Sequence, residues 1–245
     1  MTPPLRAVIF DVDGTLADTE KDGHRPAFNQ AFAAHGLEIV WDVEEYGKLL
    51  HITGGDHRIE AHLKALGYGD TRRLADAVHA TKTRLVRERI LAGAITARPG
   101  LNDLISGLVA AGIRIAVATT GRRAWVEPLL GQVLRDHPAE VVVTGDDVTH
   151  LKPHPEVYRT ALQRLGMRPE EALAVEDSAV GLRAAAAAGI ATAVVTNGYT
   201  AGQDFTAAAC VRPEFDGLEP LSSAACVRVH HDWWSARQNR EAVHR

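Results

Sequence analysis

The chain has 245 residues, enough for one large domain or two modest ones with a buried core. Hydrophobic residues make up 46% and charged residues 24%, and 27 Lys+Arg against 31 Asp+Glu give a net charge of −4, so a globular fold is expected and a basic nucleic-acid-binding surface is not. The start of the chain lacks a secretory pattern, and the longest apolar stretch, residues 184–195, falls short of the roughly 20 residues a bilayer needs, so no membrane partner is expected.

The first apolar run, Ala7–Phe10, reads as a strand covered on both faces, and acids follow it at once: Asp11, Asp13, Asp18 and Glu20. Carboxylates two residues apart at a strand end, with Gly14 and Thr15 bending the chain away, can both point at one small volume. Their repulsion raises a pKa or recruits a cation, and Mg2+ is the natural guest because it takes oxygen ligands. A plain turn rich in Asp and Gly is the alternative reading.

From about residue 18 to 97 no strand pattern occurs. The stripes Phe28/Ala31/Phe32, Ile59/Leu63/Leu66 and Leu74/Val78/Leu85 predict helices, hence an all-helical subdomain inserted after the first strand. Beyond it strands and helices alternate. Leu101, Leu104, Ile105, Leu108 and Val109 form one helical stripe between Pro99 and Gly112. A strand over Ile113–Ala118 delivers Thr119 and Thr120, whose hydroxyls and N–H groups suit phosphate. After the next strand, Val141–Val143, Lys152 offers a positive charge just ahead of two loop prolines, and a helix follows Pro155 to near Gly166. The strand Leu173–Val175 runs into Glu176 and Asp177, which open a helix from about Ser178 to Gly189, and Ala191–Val195 is the last strand expected.

This order predicts an α/β fold, a doubly wound (Rossmann-like) parallel sheet core with an inserted all-helical cap subdomain, and a ligand site beyond the carboxyl ends of the strands. The expected division is 1–17 plus 98–222 for the core, 18–97 for the cap and 223–245 for a C-terminal extension. That extension is basic with two tryptophans, and reads as an appended helix or a loosely ordered tail. His230, His231 and Asp232 are adjacent in sequence and cannot easily converge on a metal. Cys210 and Cys226, the only two cysteines, form no CxxC pair, and a reducing cytoplasm is the expected setting.

Taken singly, Thr119 could be an ordinary strand residue, Lys152 a surface lysine and Glu176–Asp177–Ser178 a helix cap. Taken in order at successive strand ends, DxDGT, Thr after an apolar strand, Lys-Pro and Glu-Asp resemble the four motifs of the haloacid dehalogenase superfamily, in its phosphatase and mutase branch. The resemblance spans residues 5 to about 220. It implies that Asp11 is a nucleophile forming an aspartyl-phosphate and that Asp13 is general acid and then general base. It further implies that Asp11, Asp177 and the carbonyl of Asp13 hold Mg2+, with Glu176 acting through a metal-bound water. Thr119, the Thr120 backbone and Lys152 would neutralise the phosphoryl oxygens, as phosphoryl transfer requires.

The inserted segment resembles the family's small α-helical cap. Within it "WDVEEYGKLLHITGGDHRI", followed by "ARPGLNDLI" and "IAVATTG", resembles the CbbY-type sugar-bisphosphate phosphatases, which dephosphorylate xylulose 1,5-bisphosphate. That likeness implies a substrate role for Glu20, His24, Tyr46, Gly54, Gly55, Arg58, Lys82 and Arg122; packing or a solvated charge is the alternative for each. The chain departs from the pattern by one extra residue between Glu20 and His24 and by Pro26 inside the first cap helix. The expectation is a Mg2+-dependent phosphatase of a small sugar phosphate or bisphosphate, a monomer or weak oligomer. A sugar phosphomutase of the β-phosphoglucomutase type and a non-catalytic regulatory module on the same fold are the alternatives.

Overall fold

The computed structural model describes residues 2–243, with side chains through Asn239. All residues of β1 (Ala7–Phe10) are buried, as a strand covered on both faces requires. It pairs in parallel with β2 (Arg114–Ala118) on one side and β4 (Ala172–Glu176) on the other. β3 (Val141–Val143) lies beyond β2, and β5 (Ala191–Val195) and β6 (Cys210–Arg212) lie beyond β4. The sheet order is β3-β2-β1-β4-β5-β6 and every pairing is parallel. Phe10 sits opposite both Val117 and Val175, so the residues that follow these three strands leave the sheet at one edge. The chain winds outward in both directions from β1, and a crevice opens at such a switch point.

One face of the sheet is covered by α5 (Leu101–Ala110), α6 (Arg123–Val133) and α9 (Ser223–Val243), with Val8, Phe10 and Val117 packed among Leu104, Leu108, Leu129 and Cys226. The other face carries α7 (Glu156–Leu165) and α8 (Ala179–Ala187), with Ile9 and Ala116 against Tyr158, Leu162 and Ala185. No helix among the described residues is long and apolar enough to cross a membrane.

Two details differ from the sequence expectation, and a third decides between the two readings of the C-terminal extension. β6 is a short, half-exposed edge strand, which leaves no apolar run to read. β4 extends through Glu176, so that residue ends the strand, and Ser178 caps α8 by accepting from the Gly181 N–H at 3.1 Å. Residues 223–243 form one helix instead of a loose tail: Ala225 and Cys226 are buried against the sheet, and His230 Nε2 lies 2.9 Å from the Glu170 carbonyl. Residues 244 and 245 of that extension lie outside the described residues.

The helical insertion begins with a wide π-type turn, Glu20–His24, and continues as α1 (Arg25–Ala34), α2 (Val43–Leu49), α3 (Gly55–Ala65) and α4 (Thr71–Leu91). Phe28, Phe32, Trp41 and Tyr46 fill its centre with Ile59, Leu63 and Val78. The two linkers run side by side: Ala17 bridges Ala97, and the Arg98 N–H donates to the Leu16 carbonyl at 2.9 Å. Packing is shared across α4, because Ala75 and Val78 belong to the helical cluster whereas Val86 and Ile90 pack with Trp125 of α6.

Candidate active site

Strand ends and the loops after them bring the core residues together. Asp11 follows β1 and is buried, with Oδ1 2.5 Å from the Lys152 ammonium. The same ammonium lies 2.6 Å from Glu176 Oε1, which also accepts from the Tyr158 hydroxyl at 2.6 Å. Asp177 is fixed by Asn197, whose Nδ2 donates to Oδ2 at 2.7 Å. Ligand oxygens of Asp11, Glu176 and Asp177 all lie within 4.8 Å of one another.

Three buried carboxylates around one ammonium leave uncompensated negative charge. Burial first, and then repulsion among the acids, hold the carboxyls of Asp11 and Asp177 well above the usual range despite Lys152. Lys152 is desolvated too, yet Asp11 and Glu176 push its pKa up. An all-oxygen, anionic, buried donor set is the chemistry a hard divalent ion such as Mg2+ accepts, so the residues present fit that ion. Glycine is required at two points around it. Gly14 has φ +75°, and a Cβ there would stand 2.4 Å from Asp177 Oδ2; one on Gly181 would overlap the Glu176 carboxylate at 1.9 Å.

The Asp13 side chain is turned away from this cluster toward the helical insertion. Its Oδ1 accepts from the Thr19 hydroxyl at 2.5 Å and lies 2.7 Å from His24 Nε2. Burial raises its pKa, but the charge and hydrogen bond of His24 outweigh that, and the carboxyl is held below its ordinary value. Asp13 as a metal residue is thus limited to its main-chain carbonyl. His24 reaches this position because Glu20–His24 is a π-type turn: the wider turn absorbs the extra residue seen in the sequence, and Pro26 then sits harmlessly in the first turn of α1. The imidazole meets Trp125 edge-on, with ring centroids 4.8 Å apart.

Thr119 is buried, its Oγ1 accepting from the Gly121 N–H at 3.0 Å, while Thr120 lines the cleft beside Lys152. That cleft has a volume of about 350 Å3 and is walled on the far side by Glu20, Gly54, Arg58 and Tyr199. A recess of about 90 Å3 continues from it between Gly55, His79, Lys82 and Arg122. All the residues expected to touch substrate border these two spaces except Thr119, which is buried beside them, and Tyr46, which lies just behind. Tyr46 donates to the Glu20 carboxylate and accepts from Arg58 Nη1 at 3.0 Å.

Arg58 and Lys82 differ in what they have left to offer. Two further Arg58 donors, on Nε and Nη2, go to the carbonyls of Leu49 at 3.1 Å and Ile52 at 3.2 Å, so the guanidinium shapes the loop before α3. Lys82 is buried, its Nζ 4.6 Å from the centre of the Phe28 ring, and it has no carboxylate ion pair among the described residues. Burial pushes its pKa down to about 8, with Glu20 and Asp13 opposing only in part. Arg122, half exposed, is tied to Asp146 at 2.9 Å on the rim of the recess.

Sequence reasoning passed over Asn197, Tyr158 and Arg98. Asn197 was findable, since it follows β5 at the same sheet edge; Tyr158, inside α7, gave no signal. Arg98, in the return linker, is buried and donates to the carbonyls of Gly14 at 2.7 Å, Val195 at 3.0 Å and Thr196 at 2.7 Å. It ties the linker to the loops that carry Asp13 and Asn197.

Comparison with known proteins assigns the chain to a family. The sequence pattern of haloacid dehalogenase-like hydrolases matches residues 5–189. The chain belongs to that family. Protein CbbY of Rhodobacter capsulatus is 45% identical to this hydrolase over 208 residues, 83% of this chain and 91% of its own. A mutant CbbY from Rhodobacter sphaeroides, solved in complex with xylulose 1,5-bisphosphate, is 42% identical with a TM-score of 0.80, covering 89% of this chain and 98% of its own. A Thermotoga maritima structure assigned as a β-phosphoglucomutase is 28% identical with a TM-score of 0.63, over 86% and 95% of the two chains. The α/β parallel sheet of this haloacid dehalogenase-like hydrolase is the fold of its CbbY neighbours, and the enzyme is a phosphatase of that family.

Proposed function

We propose that this phosphatase hydrolyses a small sugar phosphate or bisphosphate, with xylulose 1,5-bisphosphate the leading candidate, through an aspartyl-phosphate on Asp11. The observation that carries the reading is the pairing, across one cleft, of Asp11 beside Lys152 with the unpaired ammonium of Lys82 in the adjoining recess. A substrate with two phosphates needs cationic groups at both ends. The bisphosphate held by the CbbY mutant of Rhodobacter sphaeroides supports the same class of substrate.

In this reading Thr119, the Thr120 backbone and Lys152 orient the reacting phosphoryl group. An Asp11 oxygen attacks phosphorus in line, the bond to the ester oxygen breaks, and Asp13 protonates the departing alkoxide. Asp13 then takes a proton from water as that water attacks the phosphoaspartate, which releases phosphate and restores Asp11. Asp13 is held ionised by His24 and Thr19 here, so it suits the base role as it stands; the acid role requires it to carry a proton and leave His24. Asp11, Asp177 and the Asp13 carbonyl would hold Mg2+, with Glu176 behind them, and the ion supplies charge neutralisation that lets an anionic nucleophile meet an anionic phosphate.

The helical segment 18–97 acts as a cap closing over core 1–17 plus 98–222, and closure excludes water and completes the specificity contacts. Glu20, oriented by Tyr46, receives a sugar hydroxyl; Gly54 and Gly55 allow close backbone approach; Lys82, with Arg122 at the rim, receives the distal phosphate. The enzyme works in the cytoplasm as a monomer or weak oligomer on a free small molecule.

The test is a phosphate-release screen with Mg2+ that compares kcat/KM for xylulose 1,5-bisphosphate, ribulose 1,5-bisphosphate, fructose 1,6-bisphosphate and simple monophosphates. A preference for a bisphosphate is expected; a flat profile overturns the substrate assignment. The β-phosphoglucomutase-like neighbour favours one second reading, transfer back to sugar. Isomerisation of glucose 1-phosphate without net phosphate release would establish it.

A further inference from the structure

Away from the cleft, the loop that leads into α7 gathers His150, His154 and Glu156. The side chains of the two histidines are 62% and 48% exposed, so a hydrated ion can reach them. Their rings face each other with centroids 4.6 Å apart. His150 Nδ1 lies 2.8 Å, and His154 Nδ1 3.8 Å, from the same carboxylate oxygen, Glu156 Oε2. One ligand atom from each lies within 4.8 Å of the others. Ligands each about 2.1 Å from a common ion stand roughly 3 to 4 Å apart, so small side-chain rotations complete the set.

The carboxylate is already oriented and ionised. It accepts from the backbone N–H groups of Thr149 at 2.8 Å and His150 at 2.9 Å, and these bonds with the His150 ring hold its pKa down at about 2. Outer hydrogen bonds that fix a ligand in this way are a usual support of metal sites. Two imidazoles and one carboxylate suit borderline transition ions, whereas the all-oxygen cluster at Asp11 suits Mg2+.

We propose that His150, His154 and Glu156 form a second divalent-metal site, selective for ions of the Zn2+, Co2+ and Ni2+ class, and that its occupation is felt at Lys152. The two histidines flank Lys152 at two residues on either side, and the Lys152 ammonium is 2.5 Å from Asp11. An ion bridging them replaces the His150–Glu156 hydrogen bond and draws His154 inward, which ties down the loop whose middle residue positions that ammonium. The coupling to catalysis rests on the proposed role of Lys152; the binding does not.

The experiment uses the full chain without a histidine tag, in excess Mg2+. Co2+ is titrated by its visible absorption and Zn2+ by calorimetry, for the parent and for His154→Ala and Glu156→Gln. One Mg2+-insensitive site is expected in the parent, weakened by about tenfold or more in each variant. Zn2+ should lower kcat for phosphate release in the parent and not in the variants. Binding that is unchanged in both variants, or that Mg2+ displaces completely, overturns the site. Variant-sensitive binding with no change in kcat overturns the coupling to Lys152. A failure of the phosphatase reading would leave the binding titrations untouched.

Discussion

The two walls of the cleft meet opposite electrostatic demands. On the core wall Asp11, Glu176 and Asp177 crowd a single lysine, and their burial leaves negative charge in excess. On the cap wall a lysine lies over the Phe28 ring with no carboxylate ion pair among the described residues. The first wall can approach a phosphate only with added positive charge; in the proposed reading the second receives an anion unaided. A phosphorylated ligand with charge at both ends resolves both, which is why the contrast between the walls says more about substrate than either wall does.

The sharpest way to break this contrast is at the core. Asp11→Asn should keep the fold and reduce phosphate release by about 10^4-fold or more, because no other carboxylate stands where it does; retained turnover would remove Asp11 from the chemistry. Lys152→Met should cost about 10^2 to 10^3 in kcat, the loss typical of one fixed donor to a charged transition state. A steady-state assay that finds only KM changed would show that Lys152 binds ground state and transition state alike.

The cap should respond differently. Lys82→Gln is expected to lower kcat/KM for a bisphosphate by about 10 to 100-fold while leaving a matched monophosphate nearly unchanged, since only the distal phosphate loses a charged hydrogen bond. Equal losses on both substrates would place Lys82 in the packing instead. The same residue sets a pH signature. With its pKa pushed down to about 8, Lys82 is charged below that pH and progressively neutral above it. Bisphosphate KM should therefore rise as pH passes 8, by up to about tenfold per unit, and the rise should vanish in Lys82→Gln. Smallest in effect is Arg98→Met, which strands buried carbonyls at the junction of cap and core. A stability loss of about 1 to 3 kcal/mol by denaturant unfolding is expected, together with a higher Mg2+ concentration for half-maximal turnover.

How far each wall could be read from sequence follows the same division. Asp11, Thr119 and Asp177 each directly follow a strand, Lys152 lies farther along the loop after β3, and parallel strands in one sheet end at a common edge. Once the strands are recognised, their convergence follows from sheet geometry. The cap residues come from a turn and from helices far apart in the chain, and their meeting depends on how those helices pack. Sequence therefore named Arg58 and Lys82 together, although the fold commits Arg58 to carbonyls and Tyr46 and leaves Lys82 free. The same applies to Arg122, which is drawn to Asp146.

The extra residue before His24 makes the point most clearly. Counted along the chain it shifts His24 off its helical face; in the structure a π-type turn takes up the residue and returns the imidazole to Asp13. Backbone hydrogen bonding has that local choice, and only the surrounding packing makes it.

By itself, then, the sequence determined the doubly wound sheet, the inserted helices and the acids, threonines and lysine at the sheet's edge, because alternation and strand-end spacing are local properties of the chain. Tertiary structure alone decided where Asp13 points, which cap cation stays unpaired, that residues 223–243 complete one face of the core, and that Arg98 binds the linker to the catalytic loops. Each of these depends on which buried polar group finds a partner across long stretches of chain, and that competition is settled only when the whole fold has closed.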